Sequence, residues 1–198
     1  MKTQGIAAGL LILGLGVASA AFAANEPNQT MTKDQSMLPL LATAPHDFDF
    51  LIGHWRVHHR RLKQRLADNH EWEEFAGESL TQKTMGGFGT IDDNILELPS
   101  GTYRAAGLRG YDPKTGKWSI WWLDGRTPEA PLETPVRGGF KDGVGTFDAE
   151  DIQNGKQVIV RFTWSRITPT TCHWEQAFSP DGGKTWEMNW EMDFERIR

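Results

Sequence analysis

Thr185-Trp186-Glu187-Met188-Asn189-Trp190-Glu191-Met192-Asp193-Phe194 alternates large apolar and polar side chains along its length. Successive side chains of a β-strand face opposite sides, so a period of two predicts one strand with a dry face and a wet one. The same period runs outward from this stretch. Val158, Val160, Phe162 and Trp164 alternate with Gln157, Ile159, Arg161 and Thr163, and Trp55, Val57 and His59 alternate with Arg56, His58 and Arg60. Pro113-Lys114-Thr115-Gly116, Asp124-Gly125, Asp142-Gly143, Asn154-Gly155 and Asp181-Gly182-Gly183 fall between such runs. These residues suit tight reversals, and short reversals make consecutive strands antiparallel neighbours. The pattern predicts about ten strands, over 53–65, 70–84, 90–98, 102–111, 117–123, 135–141, 144–151, 156–167, 171–179 and 185–196. A meander of eight to ten strands eliminates its exposed edges by closing on itself. The expected fold is therefore all-β, an antiparallel up-and-down barrel with little helix, over residues 46–198. A flat sandwich is the alternative, although its Greek-key connections call for longer crossovers.

The start of the chain reads differently. Lys2 precedes the apolar run Ile6 to Val17 and the small-residue site Ala21-Phe22-Ala23, a pattern expected of an export signal over residues 1–23. The apolar run is shorter than the roughly 18 to 20 residues of a spanning helix. The expectation is an exported protein without a membrane span, periplasmic or, alternatively, secreted. Residues 24–45 show neither regular period and are expected to form a flexible leader, with Leu38-Pro39-Leu40-Leu41 as a patch that could dock on the barrel. The formal net charge of −5 argues against nucleic acid as the main partner. The basic run Arg56 to Arg65 is followed directly by Glu71, Glu73, Glu74 and Glu78, which are expected to oppose it across a hairpin. Cys172 is the chain's single cysteine, so it cannot form an internal disulfide, and burial as a small apolar side chain is expected.

Phe48-Asp49-Phe50-Leu51-Ile52-Gly53-His54-Trp55-Arg56-Val57 resembles the opening of lipocalin-like proteins, in which a Gly-x-Trp begins the first barrel strand. With Trp174-Glu175-Gln176-Ala177-Phe178-Ser179 and the stretch from Thr185 to Phe194, residues 47–198 resemble the uncharacterised bacterial DUF1579 family. The resemblance implies a lipocalin-like, calycin-like barrel and brings no settled activity. It also implies that Trp55 packs under a basic side chain of the last strand, a place Arg196 is positioned to take by cation-π stacking. Ser179 to Trp186 resembles a single Asp-box hairpin of sialidase propellers. One copy cannot make a propeller, so this segment is expected to be a turn held by Asp181 with Trp186 packed beneath it.

If Trp55 and Val57 point inward, so do His59 and Arg61, a cationic pair suited to an anionic or polar head group. On the second strand either row could face in: Trp72, Glu74, Ala76 and Glu78, or Glu71, Glu73, Phe75 and Gly77. The first choice makes Glu74 a partner for Arg61 or His59, since buried charges rarely persist unpaired. The predicted ligand-binding set is Trp55, His59, Arg61, Trp72, Glu74, Trp122, Trp164 and Trp190. The segment Asp124 to Gly138 carries three prolines and no regular period, and it is expected to cover one barrel mouth.

No catalytic residue, cofactor or metal site is expected. His54 and His58 share a face but lie roughly 13 Å apart, too far for one ion, so a site would need His173 or His70 brought in by folding. Haem of the nitrobindin kind is not expected, because that family's glycine-rich first strand is missing. No Gly-x-Ser-x-Gly occurs, and His59 with Glu74 is the one acid-base pair the pattern offers. The expected partner is a small apolar or amphipathic molecule held in the lumen. The alternatives are a small-molecule enzyme of hydrolase or isomerase type using the same cavity, and an interaction or dimerisation module with a filled core that forms a homo-oligomer.

Overall fold

The computed structural model describes residues 43–197. The expected export signal, nearly all of the expected leader and its apolar patch lie outside the described residues. Ten strands follow in order: β1 (Gly53–Leu62), β2 (Trp72–Thr84), β3 (Gly89–Leu98), β4 (Gly101–Asp112), β5 (Lys117–Asp124), β6 (Val136–Lys141), β7 (Val144–Gln153), β8 (Lys156–Ser165), β9 (Thr171–Ser179) and β10 (Glu187–Arg196). Each pairs antiparallel with its neighbours in sequence, and β10 returns to β1, so the sheet is a closed up-and-down barrel. Helix among the described residues is confined to the 3-10 turns Asp49–Leu51 and Met85–Gly87. None is long and apolar enough to cross a membrane.

The turns behave as their residues dictate. Asp142-Gly143 and Asn154-Gly155 both hold positive φ, at 52° and 79° and at 51° and 75°, the left-handed pairing that matches the twist of flanking hairpin strands. β1 ends three residues sooner than its pattern suggests, because Leu66 and Asp68 adopt positive φ and Leu66 N–H turns to the Glu187 carboxylate at 2.9 Å.

The opening stretch of alternation contains a correction. Met188 pairs with Ala177 and Trp190 with Gln176, so Asn189 is an extra residue, a β-bulge that shifts the phase of the strand. Trp190, Met192 and Phe194 form part of the lumen wall, while Trp186 and Met188 fall out of that row. Asn189 is itself fully buried. Its side chain satisfies the disrupted ladder by accepting from Gln176 Nε2 at 2.8 Å and donating to Glu187 O at 3.3 Å.

The two ends of the barrel differ. At the end where β1 begins, the chain that precedes it forms a cork. Phe48 lies edge-on to Trp118 and Phe140, with ring centroids 5.0 and 5.1 Å apart, and stacks on Phe147 at 5.8 Å. Asp47 accepts from Trp118 Nε1 at 2.9 Å, and Leu51 O accepts from Trp55 Nε1 at 2.7 Å. The Arg196 guanidinium covers Trp55 at 4.1 Å and donates to the carbonyls of Ile52 and Phe50, each at 2.6 Å. The sequence-based pairing of Arg196 with Trp55 is thus present, and it seals the corked end. At the opposite end, where β1 finishes and β10 begins, the longer loops 63–71 and 125–135 surround an opening.

Candidate functional site

The lumen is hollow, with a cavity of about 320 Å³ that continues into the open end. Its wall has two characters. One side is aromatic and aliphatic: Phe162, Trp164, Trp174, Phe178, Trp190 and Phe194 all line it from β8, β9 and β10. The other side, from β2, β3 and β4, is polar, with Ser79, Asp92, Asn94 and Arg109 on the cavity. Parity places these groups inward: Thr90, Asp92, Asn94 and Leu96 share one face of β3, while Ile91 on the other face is exposed. Room for Asp92 comes from Gly107, where a Cβ would sit 2.3 Å from the Asp92 carboxylate. Gly77 similarly lets His59 lie against the wall, since a Cβ there would meet His59 Nε2 at 2.7 Å.

His59 is buried, with its ring stacked on Phe75 at 4.6 Å. Trp190 Nε1–H donates to its Nδ1 at 3.3 Å, which places the ring proton on Nε2 in the neutral imidazole. Burial first, then the charges of Arg61 and His58, push its pKa down to about 3. His59 is therefore a neutral side chain near pH 7. Arg61 follows at the open end and is held by Glu73, at 2.5 Å to the nearer carboxylate oxygen. The expected cationic pair consequently becomes one neutral imidazole and one compensated ion pair.

Of the residues expected to line the site, His59, Arg61, Trp122, Trp164 and Trp190 border the cavity and are brought together there. Three do not. Trp55 is wholly buried under Arg196 in the cork. Trp72 and Glu74 face outward, because the inward row of β2 is Glu73, Phe75, Gly77 and Ser79. Outside the barrel, Trp72 carries Arg60 at 4.2 Å and Glu74 faces His58 at 3.4 Å. Neither the Glu74–Arg61 pair nor the His59–Glu74 acid-base pair forms. The basic and acidic segments do oppose one another across the β1–β2 hairpin, as their order suggested.

The segment after β5 reaches the mouth: Arg126, Thr127, Glu133 and Thr134 all border the cavity. Asp124 and Arg126 form a salt bridge at 2.6 Å, and the Arg126 guanidinium lies 3.9 Å over Tyr103. Arg65 enters from the opposite loop and lies over Phe178 and Trp190, at 5.7 and 5.8 Å. Burial lowers the Arg65 pKa and raises those of Glu133 and Tyr103, with neighbouring charges as smaller causes. Asp92, Arg109, Tyr103 and Arg65 were not anticipated as site residues, and the glycine at 107 is the one trace that an inward polar group leaves in the sequence.

Two other groups belong elsewhere. His173, Glu175 and Glu191 place ligand atoms within 4.8 Å of one another on the outer face of β9 and β10. Such a set could hold a divalent cation, but His173 is engaged by Asp193 at 2.7 Å and Glu175 at 3.0 Å, and Glu191 by Arg60 at 2.8 Å. The Asp-box-like hairpin is a turn. Asp181 accepts from Thr185 N and Lys184 N and from Thr185 Oγ1, bonds that hold its carboxyl at a pKa of about 2. Trp186 closes it by donating to Gly183 O at 3.1 Å, beneath Arg161 at 4.0 Å. Cys172 is buried among the core side chains, and that burial pushes its pKa up to about 12.

No family model matches the chain, and no curated protein matches it. Among solved structures, an S-type phycobiliprotein lyase from Guillardia theta matches with a TM-score of 0.50 at 11% identity, covering 76% of this chain and 90% of that one. A likeness at that identity is a likeness of fold, and it agrees with the closed lipocalin-like barrel.

Proposed function

We propose that this protein is an exported member of the DUF1579 family that binds a small, partly apolar molecule in its barrel lumen. The observation that supports this reading is the cavity itself, about 320 Å³ of space left among indole and phenyl rings in a barrel corked at one end. That volume lies at the small end of the roughly 300–1,000 Å³ typical of ligand pockets. Apolar walls with a few fixed polar groups are the usual composition of such sites. The loop with Thr127, Glu133 and Thr134 borders the mouth, where an entering molecule meets it. Fold likeness to a phycobiliprotein lyase accords with ligand handling and leaves the compound open. A fluorescence titration of the exported protein with ethylnaphthalene tests the reading. Saturable quenching of the lumen tryptophans, with one molecule bound per chain by native mass spectrometry, is the expected result; absence of binding overturns it. Mass spectrometry of the N-terminus tests export, with cleavage after Ala23 expected and an intact Met1 contradicting it.

A further inference from the structure

Seven large apolar side chains are exposed among the described residues, and four of them, Leu80, Met85, Ile91 and Leu108, gather on one outer wall of the barrel. Ile91 of β3 pairs with Leu108 of β4, and Leu108 pairs in turn with Trp121 of β5. Leu80 of β2 pairs with Asp93, two residues along β3 from Ile91. Met85 completes the group at the corked end. Its Cε lies over Gly89 and 3.4 Å from where a Cβ on Gly110 would sit, with Trp121 Cζ3 at 3.6 Å from the same point. The Arg104–Asp93 ion pair borders the patch. Because the barrel is closed, this wall offers no strand edge, and a partner can engage it only through side chains.

The size of the patch narrows what covers it. The four side chains are 36–55% exposed, and together they present on the order of 300 Å². Each half of a stable dimer contributes about 800 Å², so a second copy is too large an occupant for the patch alone. Two apolar side chains from a short segment match it. The path of the chain supplies such a segment. Ala44 packs against the turn before β3, where a Cβ on Gly87 would meet Ala44 Cβ at 2.9 Å. That turn is Met85–Gly87, so the chain arrives at the barrel beside Met85. Leu41 and Leu40 stand three and four residues before Ala44, outside the described residues. An extended chain covers roughly 10 to 14 Å over that distance, enough to lay both leucines on Met85, Ile91 and Leu108. Burying two leucine side chains there removes apolar surface from water on both sides of the contact.

We infer that Leu40 and Leu41 dock on the outer patch of Leu80, Met85, Ile91 and Leu108, fastening the leader to the wall beside the cork and away from the mouth. The inference is independent of lumen binding.

Disulfide trapping in the full-length protein tests it. Leu41→Cys combined with Ile91→Cys should give an intramolecular disulfide in most of the protein under mild oxidation by copper phenanthroline. Leu41→Cys combined with Ile152→Cys should not, because Ile152 is exposed at the far end of β7, toward the mouth. Cys172 is buried and stays out of the reaction. The unaltered protein provides a second measurement. Thermolysin should cut its Leu40–Leu41 bond about tenfold more slowly than the same bond in a free peptide of residues 36–46, since cleavage follows the undocked fraction. Ile91→Ser with Leu108→Ser should restore the peptide's rate. No link to position 91, equal linking to 91 and 152, or cleavage of the unaltered protein at the peptide's rate overturns the docking. Disulfide-linked dimers in place of the intramolecular bond also overturn it, in favour of a second copy on the patch. The comparison of unaltered protein with peptide is decisive even if the substituted proteins do not fold.

Discussion

The corked end and the open end of this barrel are built from the same residue types to opposite purposes. At the cork, aromatic rings meet one another and every named polar group has a partner: Trp55 on Leu51 O, Trp118 on Asp47, Arg196 on two carbonyls. Toward the mouth, Trp122 and Trp190 border empty volume, and Arg65 and Glu133 are half-desolvated groups whose pKa values are shifted by that burial. Filled space with satisfied polar groups stabilises; unfilled space with shifted groups is where a molecule can be received. Stability and binding should accordingly separate along the barrel axis.

Phe48→Ala should strain that separation most, because Phe48 contacts four core aromatics and truncating a buried Phe costs about 3–5 kcal/mol. Urea unfolding checks it, and a loss below about 1 kcal/mol would mean that the cork is not an energetic part of the barrel. Acid comes next. Burial holds the folded pKa of His59 at about 3, below its ordinary value of 6.5, so the unfolded chain takes up a proton over a range in which the folded chain does not. The His59 contribution is therefore complete above about pH 6.5 and declines, by a few kcal/mol in all, as pH falls toward 3. His59→Gln should flatten that part of the stability-versus-pH curve.

Arg196→Leu should cost roughly 1–3 kcal/mol, since it removes the cover of Trp55 and strips donors from buried carbonyls. The melting temperature should fall while probe affinity in the surviving folded protein is unchanged. Replacing residues 127–134 by a Gly/Ser linker of equal length is the converse and should have the smallest effect on folding, about 1 kcal/mol or less, because that segment is exposed and outside the ladder. Ligand dissociation should accelerate measurably by stopped-flow fluorescence. A linker replacement that lowers stability and leaves dissociation unaltered would contradict the division of the two ends.

The barrel was legible in the sequence because period-two rows and turn residues are local signals. Trp55, Val57 and His59 declare their common face, and each reversal is marked by Gly, Pro, Asn or Asp. Legibility failed where local pattern does not decide parity. On β2 one row holds Trp72 and Glu74 and the other Glu73 and Phe75, so each offers one aromatic and one acid, and only pairing with β1 settles which turns inward. On β10 the alternation is unbroken in composition, yet Asn189 is inserted into the ladder and the apolar row changes sides. On β3 and β4 the usual rule reverses: Ile91 and Leu108 are outside, while Asp92 and Arg109 are inside and form an ion pair. A charge is hidden most easily beside its counter-charge on a neighbouring strand, and that partnership is invisible to a reading of one strand at a time.

The clasp of Arg196 on the carbonyl of Ile52 joins positions 144 residues apart. Loop-closure entropy makes such distant pairings late and slow events in folding. A nascent chain emerging from its N-terminus would present the cork segment and nine strands before the residues that lock them arrive, with the indole-rich wall uncovered in the interval. Refolding should therefore be slow, with aggregation competing until the final strand docks.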